Sequence, residues 1–295
     1  MTTILGTKYP LIQGALAQIS TPQLVIAVAK AGGLGVLTTA GLTTSQLAAQ
    51  IAEIQAATDQ PFAVNLMLQQ PNIVDMVTYL LAHPVPAVTT SAGSPKRFAQ
   101  QLQAVGTKVI AVIPNVKVAQ KMAALGVDAL VAEGLESGGH IGTQTTLALV
   151  QQVINAVDLP VFAAGGIIDA RSVLAMQALG AVGVQVGTAF LAAEETPISD
   201  AYKQAVIQAG DTSTVVTGEA LGDAVRCLQN PLTAEYFEAE ASGADAKMLH
   251  GLLDGSLGRA IAGDIEQGTL MAGQIAGMVE RIEPVASIVQ RLFPN

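Results

Sequence analysis

Short apolar runs rich in β-branched residues recur along the chain about every 20 to 30 residues, the length of one strand plus one returning helix. They fall at positions 11–13, 34–38, 62–67, 87–90, 109–113, 129–132, 161–164 and 182–186. Most show no alternation of apolar and polar residues, which is the signature of parallel strands buried on both faces. Helix signals separate them. Leu47, Ile51 and Ile54 share one helical face, and Ser94 followed by Pro95 is a start that Gly106 stops. Asn115 opens a helix that Gly126 ends, and Asp169 opens another that Gly180 ends. Eight such units predict an α/β fold of the (β/α)8 TIM-barrel type, for which about 250 residues is a usual length. A doubly wound open sheet is the competitor. Its dinucleotide loop is not supported, because Gly33-Leu-Gly35 lacks a third glycine at the required spacing.

The rhythm changes after Ala193. Residues 1–197 are expected to form the barrel. Residues 198–295 read as a mostly helical cap on the substrate side, with one strand signal at 214–217. This cap returns to the barrel top through the small-residue segment 271–277, and Pro284 starts a last amphipathic helix.

Composition excludes several functions. With 51% hydrophobic and 13% charged residues, the chain raises the question of a membrane span. The longest apolar stretch, 178–193, contains Gln185, Thr188 and three glycines, and it falls short of the roughly 18 residues a span needs. The first residues carry no basic segment of a secretory leader. A net charge of −9 without a basic stripe argues against nucleic acid. The lone Cys227 cannot form an internal disulfide, and no Cys/His spacing suggests a metal. The expectation is a soluble protein of a reducing compartment, the cytoplasm.

In a barrel, chemistry belongs at the C-terminal strand ends, with an anion site after the seventh and eighth strands. Here the seventh run leads into Gly165-Gly166, with Asp169 opening the next helix, and the eighth leads into Gln185-Val186-Gly187-Thr188. Glycines let main-chain N–H groups approach an anion, and a helix N-terminus favours it. The sixth run leads into Glu133, Glu136 and a histidine, His140, flanked by Gly138, Gly139 and Gly142. A histidine so presented is suited to moving a proton near neutral pH. The two glutamates fit hydrogen bonding in that loop better than a carboxylate pair. His83 and His250 read as surface or structural. Asn65, Ser91 and Gly14 end the third, fourth and first runs, where polar groups and a bare main chain can meet a flat ring.

Together these segments give the sequence a family resemblance. Gln13-Gly14, Ala31-Gly-Gly-Leu-Gly35, Val64-Asn-Leu-Met67, Thr89-Thr-Ser-Ala-Gly93, Glu133 through Gly142, Ala163-Ala-Gly-Gly-Ile167, Val184-Gln-Val-Gly-Thr188 and Met271-Ala-Gly-Gln-Ile-Ala-Gly277 run nearly end to end. In this order the chain resembles the FMN-dependent nitronate monooxygenase superfamily, and within it the flavin enoyl-acyl-carrier-protein reductases (type II). The resemblance implies FMN on top of the barrel. Gly165, Gly166, Gly187 and Thr188 would hold its phosphate with Gln185 nearby. Asn65, Glu133, Gly138 and Gly139 would contact the flavin, Gln274 would reach it from the C-terminal segment, and Gly14 and Ser91 complete the expected cofactor contacts. His140 matches the active-site histidine. Two positions depart from the reductase pattern: Ala189 replaces an arginine, and Gly14-Ala-Leu-Ala17 replaces Gly-Gly-Met-Ala.

The implied activity is NAD(P)H-dependent reduction of 2-enoyl thioesters; the alternative is oxidation of alkyl nitronates with O₂. Acyl carrier protein and a second copy of the chain, as a homodimer, are the implied macromolecular partners. The −9 charge opposes an acidic carrier unless Lys96, Arg97, Lys117 and Lys121 converge. A nucleotide dehydrogenase on a similar barrel would need a cysteine in the loop that carries His140. A flavin-binding protein without turnover is the non-enzymatic alternative.

Overall fold

A computed structural model describes residues 4–294. The strands, in chain order, are β1 (Leu11–Gln13), β2 (Gly35–Thr38), β3 (Phe62–Met67), β4 (Ala87–Ser91), β5 (Lys108–Ile113) and β6 (Ala129–Glu133). They continue with β7 (Gly139–His140), β8 (Val161–Ala164), β9 (Gly183–Val186), β10 (Thr214–Thr217) and β11 (Val225–Leu228). Eight of them pair in parallel in the order β1-β9-β8-β6-β5-β4-β3-β2. The two ends of this sheet meet. Leu34 N donates to Leu11 O at 2.8 Å, and Gln13 N donates to Leu34 O at 2.9 Å. The fully buried Gln13 side chain finishes the seam: its Oε1 accepts from Val36 N at 3.1 Å, and its Nε2 donates to Ser20 Oγ at 2.8 Å. The sheet is the (β/α)8 barrel that the eight apolar runs predict.

Strand parity sorts the core. Ile12, Leu34, Val36, Ala63, Ala87, Ile110, Ala129, Val131, Phe162 and Ala164 fill the barrel interior, closed from below by Leu5. The alternate residues pack outward against the helices. Leu47, Ile51 and Ile54 are the buried face of the helix Thr44–Ala57, as their spacing predicts. Asn115 and Asp169 each cap their helix through a side-chain oxygen.

Two features depart from the sequence reading. The strand expected at 214–217 forms, but it is joined by a second strand beyond 197 that the sequence did not show. Strands β10 and β11 form an antiparallel pair, and β11 also pairs with β7, so the histidine loop becomes the third strand of a small sheet. In addition, the last helix, Val285–Leu292, packs on Pro22–Ala31 and Ala170–Ala178 through Val285, Ile288, Val289 and Leu292. It thereby fills the ring position between the helices that follow β8 and β1. The boundary at 197 assigns this helix to the cap; its packing assigns it to the ring. No helix among the described residues is long and apolar enough to cross a membrane.

Candidate functional site

The inward-facing parity of the strands carries polar residues to the upper rim: Thr38, Asn65, Thr89, Ser91, Glu133 and Gln185. Asn65 and Ser91 are joined, the Ser91 hydroxyl donating to Asn65 Oδ1 at 3.1 Å. The hydroxyl of Thr89, which shares that face, is buried without a partner. The Gln185 side chain is buried over Gly14, where an added Cβ would lie 3.5 Å from its Nε2.

Glu133 and Glu136 divide their roles. Glu136 Oε2 accepts from Thr146 N at 2.8 Å and from Thr146 Oγ1 at 2.7 Å, capping the helix Thr146–Ala156. This is the hydrogen-bonding role expected of it. Glu133 ends β6 facing the rim. Burial pushes its carboxyl up to about 7, with the Ser137 hydroxyl pulling the other way. At neutral pH Glu133 is therefore a group that can either give or accept a proton.

The glycines serve two purposes. Gly165 and Gly166 follow β8 in left-handed conformations, φ +104° and +73°, so their turn bares main chain at the rim. Asp169 already occupies the N-terminus of the next helix, accepting from Arg171 N and Ser172 N, and the Arg171 side chain holds its carboxyl below the usual range. That helix end is therefore already capped by the protein itself, while the Gly165-Gly166 turn beside it is not. Gly138 and Gly273 are needed for packing: a Cβ on Gly138 would lie 2.7 Å from the Gly273 nitrogen and from the Ala272 carbonyl carbon. This close approach threads the late segment through the rim. Gln274 N donates to Glu136 O, Gly273 N to Thr188 Oγ1 and Tyr202 Oη to Met271 O, each at 2.9 Å. The Gln274 side chain stays exposed beside these anchors.

His140 stands apart from the rim, on β7. It lines a cavity of about 550 Å³ between the small sheet and the helices Ala246–Leu253 and Ser256–Ala262. Leu221, Val225, Leu253, Leu257 and Met271 give it apolar walls; His140, Asp223, His250 and Asp254 are its titratable groups. His140 Nε2 lies 3.2 Å from Asp223 Oδ1. The rim and the cavity meet at Met271, whose sulfur a Cβ on Gly139 would approach to 3.4 Å.

His250, read from sequence as surface or structural, is brought by packing to the same cavity as His140. Asp223, and the seam-closing role of Gln13, also escape the sequence reading. Cys227 is fully buried, and burial pushes its thiol up to about 12, which makes it inert. His83 leans on Tyr79 at the surface.

The chain matches the nitronate monooxygenase family model over residues 1–295. It is similar to the FabK protein of Thermotoga maritima, with 40% identity and a TM-score of 0.95 covering 99% of this chain and 93% of that one. It is also similar to the nitroalkane oxidase of Streptomyces ansochromogenes, with 29% identity and a TM-score of 0.89 over 99% and 96% of the two chains. Among curated proteins, it is 36% identical over 235 residues to the (3aS,4S,5R,7aS)-5-hydroxy-7a-methyl-1-oxo-octahydro-1H-indene-4-carboxyl-CoA dehydrogenase of Mycobacterium tuberculosis. That alignment covers 79% of this chain and 66% of the relative, just under two thirds of its length.

Proposed function

We propose, for a chain that belongs to the nitronate monooxygenase family and is a flavin-dependent oxidoreductase, that it reduces 2-enoyl thioesters with NAD(P)H. The observation that carries this reading is the cavity. At about 550 Å³, with Leu221, Val225, Leu253, Leu257 and Met271 as apolar patches in an otherwise polar and glycine-rich lining, it has room for an acyl chain and is far larger than a short nitronate needs. The relative in Mycobacterium tuberculosis, named for a carboxyl-CoA thioester, supports the same substrate class.

The rim residues fit FMN. The left-handed Gly165-Gly166 turn and the Gly187-Thr188 start suit its phosphate, while the unpartnered Thr89 hydroxyl and the Gln185 amide offer hydrogen bonds to a ring. Asn65, Ser91, Glu133, Gly138 and Gly139 would border that ring, Gly14 would let it lie close, and Gln274 would reach it from above. Bound FMN supplies hydride transfer between a nicotinamide and the substrate carbon. Glu133, about half-protonated near pH 7, would in its protonated form donate a hydrogen bond at the ring edge. His140, at the cavity wall, would polarise the thioester carbonyl or supply the proton.

Acyl carrier protein would dock on the side of Lys96, Arg97 and Lys117, which stand on the neighbouring connections after β4 and β5. The family name and the nitroalkane oxidase likeness favour a second reading, oxidation of nitronates. An anaerobic experiment separates the two. Bleaching of bound flavin by NADH or NADPH, and recovery on adding a crotonyl thioester, is the expected result. Bleaching by a nitronate alone establishes the second reading, and a preparation that FMN cannot reconstitute overturns both.

A further inference from the structure

The His140–Asp223 contact joins two exposed side chains, 66% and 59% accessible. Exposed ion pairs contribute little to stability, so holding the fold together does not explain this one. What distinguishes it is how firmly the main chain sets both partners. His140 pairs with Val225 across β7 and β11, and Ile141 N donates to Ala224 O at 3.0 Å. Asp223 closes the turn between β10 and β11, its N donating to Gly218 O at 3.0 Å. Gly218 and Gly222 are left-handed in that turn, and a Cβ on Gly218 would lie 2.2 Å from Asp223 O, so only glycine permits its shape. Gly218 N in turn donates to the hydroxyl of the fully buried Tyr236 at 3.1 Å. A core tyrosine thus anchors the turn that holds the carboxylate against the imidazole.

The surroundings leave Asp223 as the partner. Across the cavity stand His250 on the helix Ala246–Leu253 and Asp254 just after it. Arg226 on β11 is committed elsewhere, to Leu135 O at 2.9 Å and Thr214 Oγ1 at 3.1 Å. A carboxylate 3.2 Å from Nε2 favours, by its charge, the tautomer with its proton there and leaves Nδ1 as the other nitrogen. A substrate filling the cavity would exclude water from the pair and strengthen it.

We propose that Asp223 is a positioning residue: it holds His140 by Nε2, fixes the ring's tautomer and orientation, and leaves Nδ1 to face the substrate. The proposal rests on the reading of His140 as the group that polarises the carbonyl or moves the proton. Nitrogen-15 NMR of the histidine rings in the purified holoprotein tests it, with His140→Gln identifying the His140 signals. The neutral ring of the wild type is expected in the Nε2–H form, and Asp223→Ala should mix the tautomers. With crotonyl thioester, Asp223→Ala should lower kcat by roughly tenfold or more while KM changes less, and Asp223→Glu should restore part of it. An Asp223→Ala protein with the wild-type tautomer and wild-type kcat overturns the proposal. If His140→Gln retains full turnover, the reading of His140 falls instead, while the tautomer measurement still reports on Asp223.

Discussion

The ring and the cap use their polar side chains in opposite ways. In the ring away from its ligand-facing rim, polar groups are committed to the protein itself: Gln13 stitches the seam, Glu136 caps a helix and Thr188 holds the Gly273 main chain. In the cap cavity, His140, Asp223, His250 and Asp254 face open space. Charge divides along the same line, with 13 acidic and 6 basic residues after position 197 against 10 and 8 before it. Below its rim the ring satisfies its own polar groups, whereas the rim and the cap cavity keep groups such as the Thr89 hydroxyl and His140 for a ligand.

Substitutions should break or sharpen this contrast. His140→Gln should reduce turnover by about 10² to 10⁴-fold, yet shift unfolding free energy by less than about 0.5 kcal/mol because the side chain is exposed. Loss of stability on that scale of catalytic effect would give the cap a structural role it is not assigned here. In the ring the pattern should invert. An alanine at Gly35 would put its Cβ 2.5 Å from Val25 O and 2.8 Å from Val25 Cα. Denaturant titration of Gly35→Ala should show a loss of about 3 kcal/mol, with turnover per folded molecule kept.

Glu133 lies where the two regimes meet, so its effect should be intermediate and depend on pH. Its folded-state value, about 7, lies above the unfolded 4.5, so the folded state holds the extra proton between those values. Stability of the flavin-free protein should therefore fall as pH rises from about 5 to 8, by about 2 kcal/mol for a partly exposed group. Glu133→Gln should flatten that slope; an unchanged slope assigns it to other groups. The smallest effect has the opposite sign. Gly251 sits within the helix Ala246–Leu253, and a Cβ there meets nothing within 4 Å. Gly251→Ala should stabilise by about 0.5 to 1 kcal/mol, measurable as a rise in Tm.

Legibility from sequence follows the same boundary. The ring strands announce themselves because residues buried on both faces must be apolar, and three of the eight runs match their strands to the residue: Leu11–Gln13, Phe62–Met67 and Val161–Ala164. Glycines and caps mark where each helix starts and stops, so the strand ends and their polar residues are readable too. The small sheet is not. β7 is two residues inside a glycine-rich loop, and β11 carries Arg226 at its centre, whose guanidinium is satisfied by Leu135, some ninety residues earlier. His250 sits on an ordinary amphipathic helix; only packing decides that it faces a cavity. Asp223 belongs to no motif, since its partner is chosen by strand pairing. Gln13 is legible as a strand end, but nothing local shows that a barrel seam needs its amide.

The threading of Met271–Gln274 through the rim also imposes an order in time. All eight ring strands are translated before this segment exists, and the 88 residues from Val186 to Gln274 take about 4 to 18 seconds at 5 to 20 residues per second. Throughout that interval Glu136 O and the Thr188 hydroxyl lack the partners that will cover them, and Glu133 and Gln185 lie open. The eight strands can therefore pair before either this segment or the last ring helix exists, which makes those seconds the period when the growing chain most needs protection from other chains.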